Sequence, residues 1–374
     1  LFDDERSGLQ EDAISVKVDG IERSTHLTRT ATGATLALAA SQGVSLADGM
    51  HRIEARVIDR AGNATDATAV DFGVDTVAPT AAVLAPLPDA FVGLATPPLR
   101  VRLNDVAPSS GIDPLFVKVL IDGVDVTSAL AFTPASSVDS VSLEGAGVAP
   151  AELADGLHIL RLTGIDNANN PVEVITRFTV DTTAPVVTPA IPEGGSTVGA
   201  GAVDGAGYSV LTGSLSDLDP GLTVTCASGG ATVAGSLLSG GWSCAVPVTE
   251  GANTVTTTVT DSTGHSTSTS RTLTVDRTAP AVIIDVPTSG DATSAQVLTV
   301  SGHVTDATAV SVTVNGVAAL VTPATAGGPA TFTAQNVPVE GAETALFTAV
   351  ATDAAGNTGS ATATVIVDRV APVV

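Results

Sequence analysis

Aspartates recur at three fixed places along the chain, and their carboxylates are the side chains best suited to chemistry. Asp75, Asp181, Asp276 and Asp368 sit in a short phrase that joins successive repeats; Asp4, Asp105, Asp217 and Asp306 end one alternating apolar run; Asp59, Asp166, Asp261 and Asp353 end another. Three carboxylates within a few ångströms repel unless protons or a cation intervene. Calcium is the fitting cation, because it accepts many oxygens in loose geometry, whereas magnesium demands tighter octahedral placement. A local use competes with this reading: an Asp at a strand end before a Gly-containing turn caps the turn backbone. Capping accounts for Asp59, Asp166 and Asp353. It accounts less well for Asp75, Asp181, Asp276 and Asp368, whose phrase contains no glycine.

Other residue types offer little. His51 and His158 hold the same position in two repeats, at the start of what reads as an exposed strand, and His26, His265 and His303 are scattered; a structural role fits all five better than catalysis. No G-x-S-x-G elbow is present. Paired carboxylates serve glycoside hydrolysis, but that reaction needs a cleft, and these recur at every joint. Trp242 and Tyr208 are the one Trp and the one Tyr, too few for the aromatic platforms of sugar-binding modules. Trp242 alternates with Cys244 and reads as core. The expectation is a protein that is not an enzyme.

The elements that position the aspartates follow from the joining phrase itself: VDTVAP at 74–79, VDTTAP at 180–185, VDRTAP at 275–280 and VDRVAP at 367–372. The interval is one small domain. Proline fixes its own φ and keeps the preceding alanine extended, so the joints read as stiff. They divide the chain into modules at 1–78, 79–184, 185–279 and 280–374. Within a module, a proline-flanked run (Pro79 and Pro86, Pro185 and Pro192, Pro280 and Pro287) suits an edge strand. VRLND, GSLSD and GHVTD follow, each ending in Asp. A third strand then runs into Asp19-Gly20, Asp122-Gly123 or Asn315-Gly316, which are hairpin signals. The middle of each repeat, such as 131–152 and 318–328, alternates only weakly and reads as short strands and loops. Late in the repeat come LADGMHRIEARVID at 46–59 and LADGLHILRLTGID at 153–166, then the turns RAGN, NANN, STGH and AAGN.

About seven short strands per repeat, with regular turns, suit a two-sheet β-sandwich. The D-x-A-G-N turn followed by the V-D-x-x-A-P joint resembles the bacterial immunoglobulin-like repeats that build the stalks of large surface adhesins, over the whole chain. The resemblance implies an all-β fold of tandem immunoglobulin-like β-sandwich domains arranged end to end as an extended rod, on the order of 150 Å long from strand dimensions, extracellular and often stiffened by calcium. In such a module the ends of the second and sixth strands lie beside the preceding joint. That groups Asp75 with Asp105 and Asp166, Asp181 with Asp217 and Asp261, and Asp276 with Asp306 and Asp353. Asp4 and Asp59 need an upstream joint, and Asp368 a downstream module. The third repeat departs from the pattern, with His265 in place of the usual Asn.

The first repeat starts late, at the counterpart of the third strand, with LFDD as the residue of the second. The chain reads as a piece of a longer polypeptide, the rival being a strand donated by another copy. Fifteen Lys and Arg against 39 Asp and Glu, a net charge of −24, exclude nucleic acid and anionic membranes as natural partners. No apolar run is long enough to span a bilayer, and no leader is visible at LFDDERSG. Cys226 and Cys244 lie in one repeat and read as a disulfide, two free thiols being the alternative; a disulfide implies an oxidising compartment. The function expected is a stalk or filament segment of a secreted or surface-anchored bacterial protein, whose partners are the flanking modules, with self-association of further copies into a filament or through a donated strand as the variant of this reading. The rivals are a ligand-binding adhesin module and an accessory region of a large secreted enzyme.

Overall fold

Alternation with a period of two decides which residues face inward, because successive side chains of a strand point to opposite faces. In the strand Pro98–Val106, Leu99, Val101 and Leu103 point inward and are fully buried, and Asp105 is the next residue in the same phase. In Gly156–Ile165 the inward phase runs through Leu160, Leu162 and Gly164 and reaches Asp166 just past the strand. Phe347, Ala349, Ala351 and Asp353 repeat this in Thr344–Asp353. The strand-end aspartates are thus the last members of core stripes.

The computed structural model describes residues 8–30, 33–38, 45–204, 207–239, 241–323 and 329–371. The fold is all-β, with tandem immunoglobulin-like sandwiches; among the described residues helical turns are limited to short 3-10 segments such as Pro114–Phe116. Two compact units divide at Thr183 and Ala184.

In the first unit, one sheet has the strand order Leu130–Ser136, Ser140–Val148, Pro98–Val106, Thr80–Ala85, all antiparallel. The facing sheet runs Val124–Asp125, Lys118–Ile121, Gly156–Ile165, Pro171–Val180, Ala90–Val92, and its last pair is parallel. Leu99, Val101, Leu103, Leu160, Leu162 and Phe178 form the core between them. Upstream, Ile21–Glu22, Ser15–Val18 and Gly49–Ile58 form a sheet in which Ala64–Asp66 and Val70–Val74 both pair with Gly49–Ile58; Leu27–Thr30 and Gly33–Leu36 make a separate hairpin.

The second unit repeats the same strand order twice, at residues 186–275 and 281–367. In the earlier sandwich, Cys226 on Thr223–Ser228 and Cys244 on Gly241–Pro247 are joined by a disulfide. These strands belong to opposite sheets, so the bond crosses the core. Trp242 is fully buried beside it, as the alternation with Cys244 predicts. Gly213 faces the Trp242 ring so closely that a Cβ there would lie 2.6 Å from Nε1.

Two sequence expectations need correction. The weakly alternating stretch at 131–152 contains most of two long strands, Leu130–Ser136 and Ser140–Val148. Small residues blur the alternation there: Gly145 and Gly147 leave room for the Phe132 ring and the Ala129 carbonyl. His51 and His158 do not begin an exposed strand, since Gly49–Ile58 and Gly156–Ile165 are central and His158 is only 8% exposed.

Candidate metal centre

Asp75, Asp105 and Asp166 come together in the first unit, each offering a carboxylate oxygen within 4.8 Å of the others. Asp105 arrives on its core phase and is fully buried. Its Oδ2 accepts from the Gly111 N–H at 2.9 Å, where a φ of +83° suits glycine. Its Oδ1 is buried and meets no hydrogen-bond donor among the described residues. Burial, together with the charges of Asp75 and Asp166, holds the Asp105 pKa above its ordinary value against the Gly111 bond and a smaller lowering by the Ser109 side chain. Asp75 accepts from Val77 N at 3.1 Å and Ser110 N at 2.7 Å. Burial works to raise its pKa, but the bonds from Ser110 and Val77 outweigh it, and the group titrates below its ordinary value.

Asp166 behaves differently. Its Oδ1 accepts from Ala168 N and Asn170 N, both at 2.8 Å, and its Oδ2 from Asn170 Nδ2 at 2.7 Å. This is the turn cap that the sequence predicts. Capping and clustering therefore coexist: both oxygens of Asp166 accept from its turn while Asp105 keeps an oxygen without a donor.

Asp276, Asp306 and Asp353 form the corresponding group in the second unit. Asp353 caps its turn through Ala355 N, Asn357 N and Asn357 Nδ2. Asp306 accepts from Thr308 N and Oγ1. Asp276 Oδ1 accepts from Thr278 N at 3.1 Å, and its buried Oδ2 meets no donor among the described residues. Each group thus holds one orphaned, buried carboxylate oxygen among three clustered carboxylates. Burying an anionic oxygen without a donor is costly, and a hard cation with oxygen preference fits the donor set.

Each remaining predicted ligand within the described residues accepts a hydrogen bond from donors close by in sequence. Asp181 closes the first unit, buried, with Oδ1 accepting from Thr183 N and Oγ1. Asp217 and Asp261 belong to the second unit. Asp217 accepts from Leu218 N; Asp261 accepts from His265 N and Thr263 Oγ1 at 2.8 Å, bonds that hold its pKa below the ordinary value although burial raises it. Asp59 caps its turn through Asn63 N and Nδ2. Asp368 accepts from Val370 N. Asp4 lies outside the described residues.

Sequence reading missed two sets of residues that hold the joint. Asn170 Nδ2 also donates to the Asp75 carbonyl at 3.1 Å, and Asn357 Nδ2 to the Asp276 carbonyl at 2.8 Å. From the other side, Asp48 accepts from Thr76 N at 3.0 Å, Asp155 from Thr182 N at 2.9 Å and Glu250 from Arg277 N at 3.0 Å. The signal was present: an acid recurs immediately before the glycine that opens the long late strand. Asp219 was missed too. It is buried, and it ties Gly221 N to Ser262 N.

Residues 280–369 match the family described as "Glucodextranase, domain B". No curated protein matches the chain. Among solved structures, the I-band fragment I67-I69 from titin aligns at 12% identity and a TM-score of 0.38, over 78% of this chain and 99% of that one. A tetra-tandem repeat in the extending region of a large adhesion protein aligns at 21% identity and 0.31, over 97% and 92%. The fibronectin(III)-like modules of Clostridium thermocellum CbhA align at 12% and 0.32, over 53% and 95%.

Proposed function

We propose that the chain is a mechanical segment, a stalk or filament piece of a secreted or surface-anchored bacterial protein that takes part in adhesion and whose joints are stiffened by calcium. In this reading four modules, bounded at 78, 184 and 279, stand end to end as a rod. One observation carries it: a joint aspartate and two strand-end aspartates offer oxygens within 4.8 Å of one another, and one carboxylate oxygen of each group is buried without a donor. Asp75, Asp105 and Asp166 would hold one ion, and Asp276, Asp306 and Asp353 another. Each set spans a joint, so ion affinity is highest when the neighbouring modules are aligned, and occupancy and alignment favour one another. The disulfide supports an oxidising, extracellular setting. Among the described residues no helix is long and apolar enough to cross a membrane.

The test is thermal melting and small-angle scattering of the chain with calcium and with excess chelator. Chelator is expected to lower the melting temperature and shorten the particle; no change in either defeats the calcium lock and leaves the aspartates as turn caps. The match of residues 280–369 favours one second reading, a non-catalytic accessory region of a large secreted enzyme. A catalytic domain encoded in the same polypeptide would establish it.

A further inference from the structure

The ring of His158 lies between two acceptors. Its Nδ1 is 2.6 Å from Asp122 Oδ2 and its Nε2 is 2.7 Å from the Ala154 carbonyl oxygen. His51 repeats the arrangement, with Nδ1 2.6 Å from Asp19 Oδ2 and Nε2 2.6 Å from the Ala47 carbonyl oxygen. A neutral imidazole has one N–H and one lone pair, so it can satisfy one of these contacts and must turn a lone pair toward the other oxygen. Both bonds exist together only in the imidazolium.

The residues that follow Ala154 and Ala47 are the joint staples Asp155 and Asp48, which accept from Thr182 N and Thr76 N. We infer that His158 and His51 are imidazolium clamps that tie the Asp122-Gly123 and Asp19-Gly20 turns to the loops presenting Asp155 and Asp48, so that the staples of the first unit loosen as pH rises. The inference does not depend on a metal.

The surroundings favour the charged ring. The turn between Lys118–Ile121 and Val124–Asp125 contributes Asp122, itself anchored by Ile159 N at 2.9 Å. The strand Pro171–Val180 contributes the uncharged Phe178 ring, stacked at 5.6 Å, where a cation meets an aromatic face. The loop before the strand contributes the Ala154 carbonyl. Asp122 is the titratable group that acts on His158. Around His51 the counterparts are Asp19, the Phe72 ring and the Ala47 carbonyl, with Arg23 acting on Asp19. Burial lowers the His158 pKa, yet the bonds to Ala154 and Asp122 carry it above the ordinary value; the bond to Asp19 does the same for His51. A histidine with a raised folded pKa contributes stability that is complete below its unfolded pKa of about 6.5 and is lost as pH rises through the folded value. Asp122 and Asp19 titrate below their ordinary value, so the clamp fails at the acid end only once pH falls through those lowered values.

The second unit contains a natural control. Asn253 stands where His158 does, eight positions before the strand-end Asp261. Its Nδ2 donates to the Thr249 carbonyl at 2.7 Å, the analogue of the Ala154 contact, beside the Glu250 staple. An amide does not titrate.

The experiment uses the whole chain in excess chelator. Ring nitrogen NMR of His158 and His51 is followed between about pH 6 and pH 9, alongside amide exchange at Thr182, Thr76 and Arg277, expressed as protection relative to the unstructured rate. Both rings are expected to be doubly protonated at about pH 7. Protection at Thr182 and Thr76 should then fall severalfold through the ring titration while that at Arg277 holds, and His158→Asn should make Thr182 insensitive to pH. A wild-type ring carrying a single proton at about pH 6.5 overturns the proposal, as does protection at Thr182 that tracks Arg277 across the range. The wild-type ring titration decides the matter even if His158→Asn does not fold.

Discussion

Asn357 is bonded to Asp276 across 81 residues of chain: its Nδ2 donates to the Asp276 backbone carbonyl at 2.8 Å and, from the same nitrogen, to Asp353 Oδ2 at 2.8 Å. Asn170 does the same for Asp75 and Asp166. One amide thus couples the joint to the turn that follows the sixth strand. Asn357→Ala leaves the Asp276 carbonyl and one oxygen of the buried Asp353 without this donor. A loss of about 1–3 kcal/mol is expected, read as a lower melting temperature in chelator. An unchanged melt would remove Asn357 from the account of the joint.

Asp105→Asn should act with opposite sign in the two metal conditions. Asp105 is held above its ordinary pKa by burial and by Asp75 and Asp166. Without metal, therefore, the wild-type fold loses stability as pH rises through that raised value, and an uncharged amide relieves the loss. In chelator the variant should melt higher than wild type. With calcium at a hundredfold excess over its dissociation constant, wild type should gain about 2.7 kcal/mol per site, and the variant should gain clearly less. Equal calcium responses in both proteins would count against the metal centre.

The Cys226–Cys244 bond closes a loop with a sequence separation of 18 across the core of its sandwich. Replacing both cysteines by alanine should cost that sandwich about 3 kcal/mol through loop entropy in the unfolded chain. Hydrogen exchange should show the loss in residues 186–275 and leave 80–180 unaffected. A uniform loss across both regions would contradict a local staple.

Asp125 is an exposed acid whose pKa is lowered to about 2 by its bonds with Thr127 and Lys118. A carboxyl whose folded pKa is depressed contributes stability above its unfolded value and loses it as pH falls through the folded one. Carboxyl NMR on Thr127→Val should show Asp125 returning toward its model-peptide value of about 3.9. The same titration in both proteins would mean that Thr127 does not hold it.

Much of the fold was legible because strand alternation is local. VRLND announces both its strand and the phase that carries Asp105 inward, and the DG pairs at 19–20 and 122–123 mark turns, with Asp19 and Asp122 at positive φ. Leu130–Ser136 and Ser140–Val148 were not legible as strands. Phe132 packs over Gly145, and that packing depends on a partner strand rather than on a pattern along the chain. The histidines were misjudged for the same reason: a strand's place in the middle of its sheet is set by neighbours distant in sequence.

What the sequence determined by itself is which residue types recur, in which strand phase, and at which joints, since all of these follow from covalent order and a period of two. Only the tertiary structure decided that Asp75, Asp105 and Asp166 meet, that Asp105 retains an oxygen without a donor while both oxygens of Asp166 have one, and that His158 faces two acceptors at once. Those outcomes depend on sheet order and loop closure, which bring together groups dozens of residues apart and exclude the water that would otherwise have satisfied them.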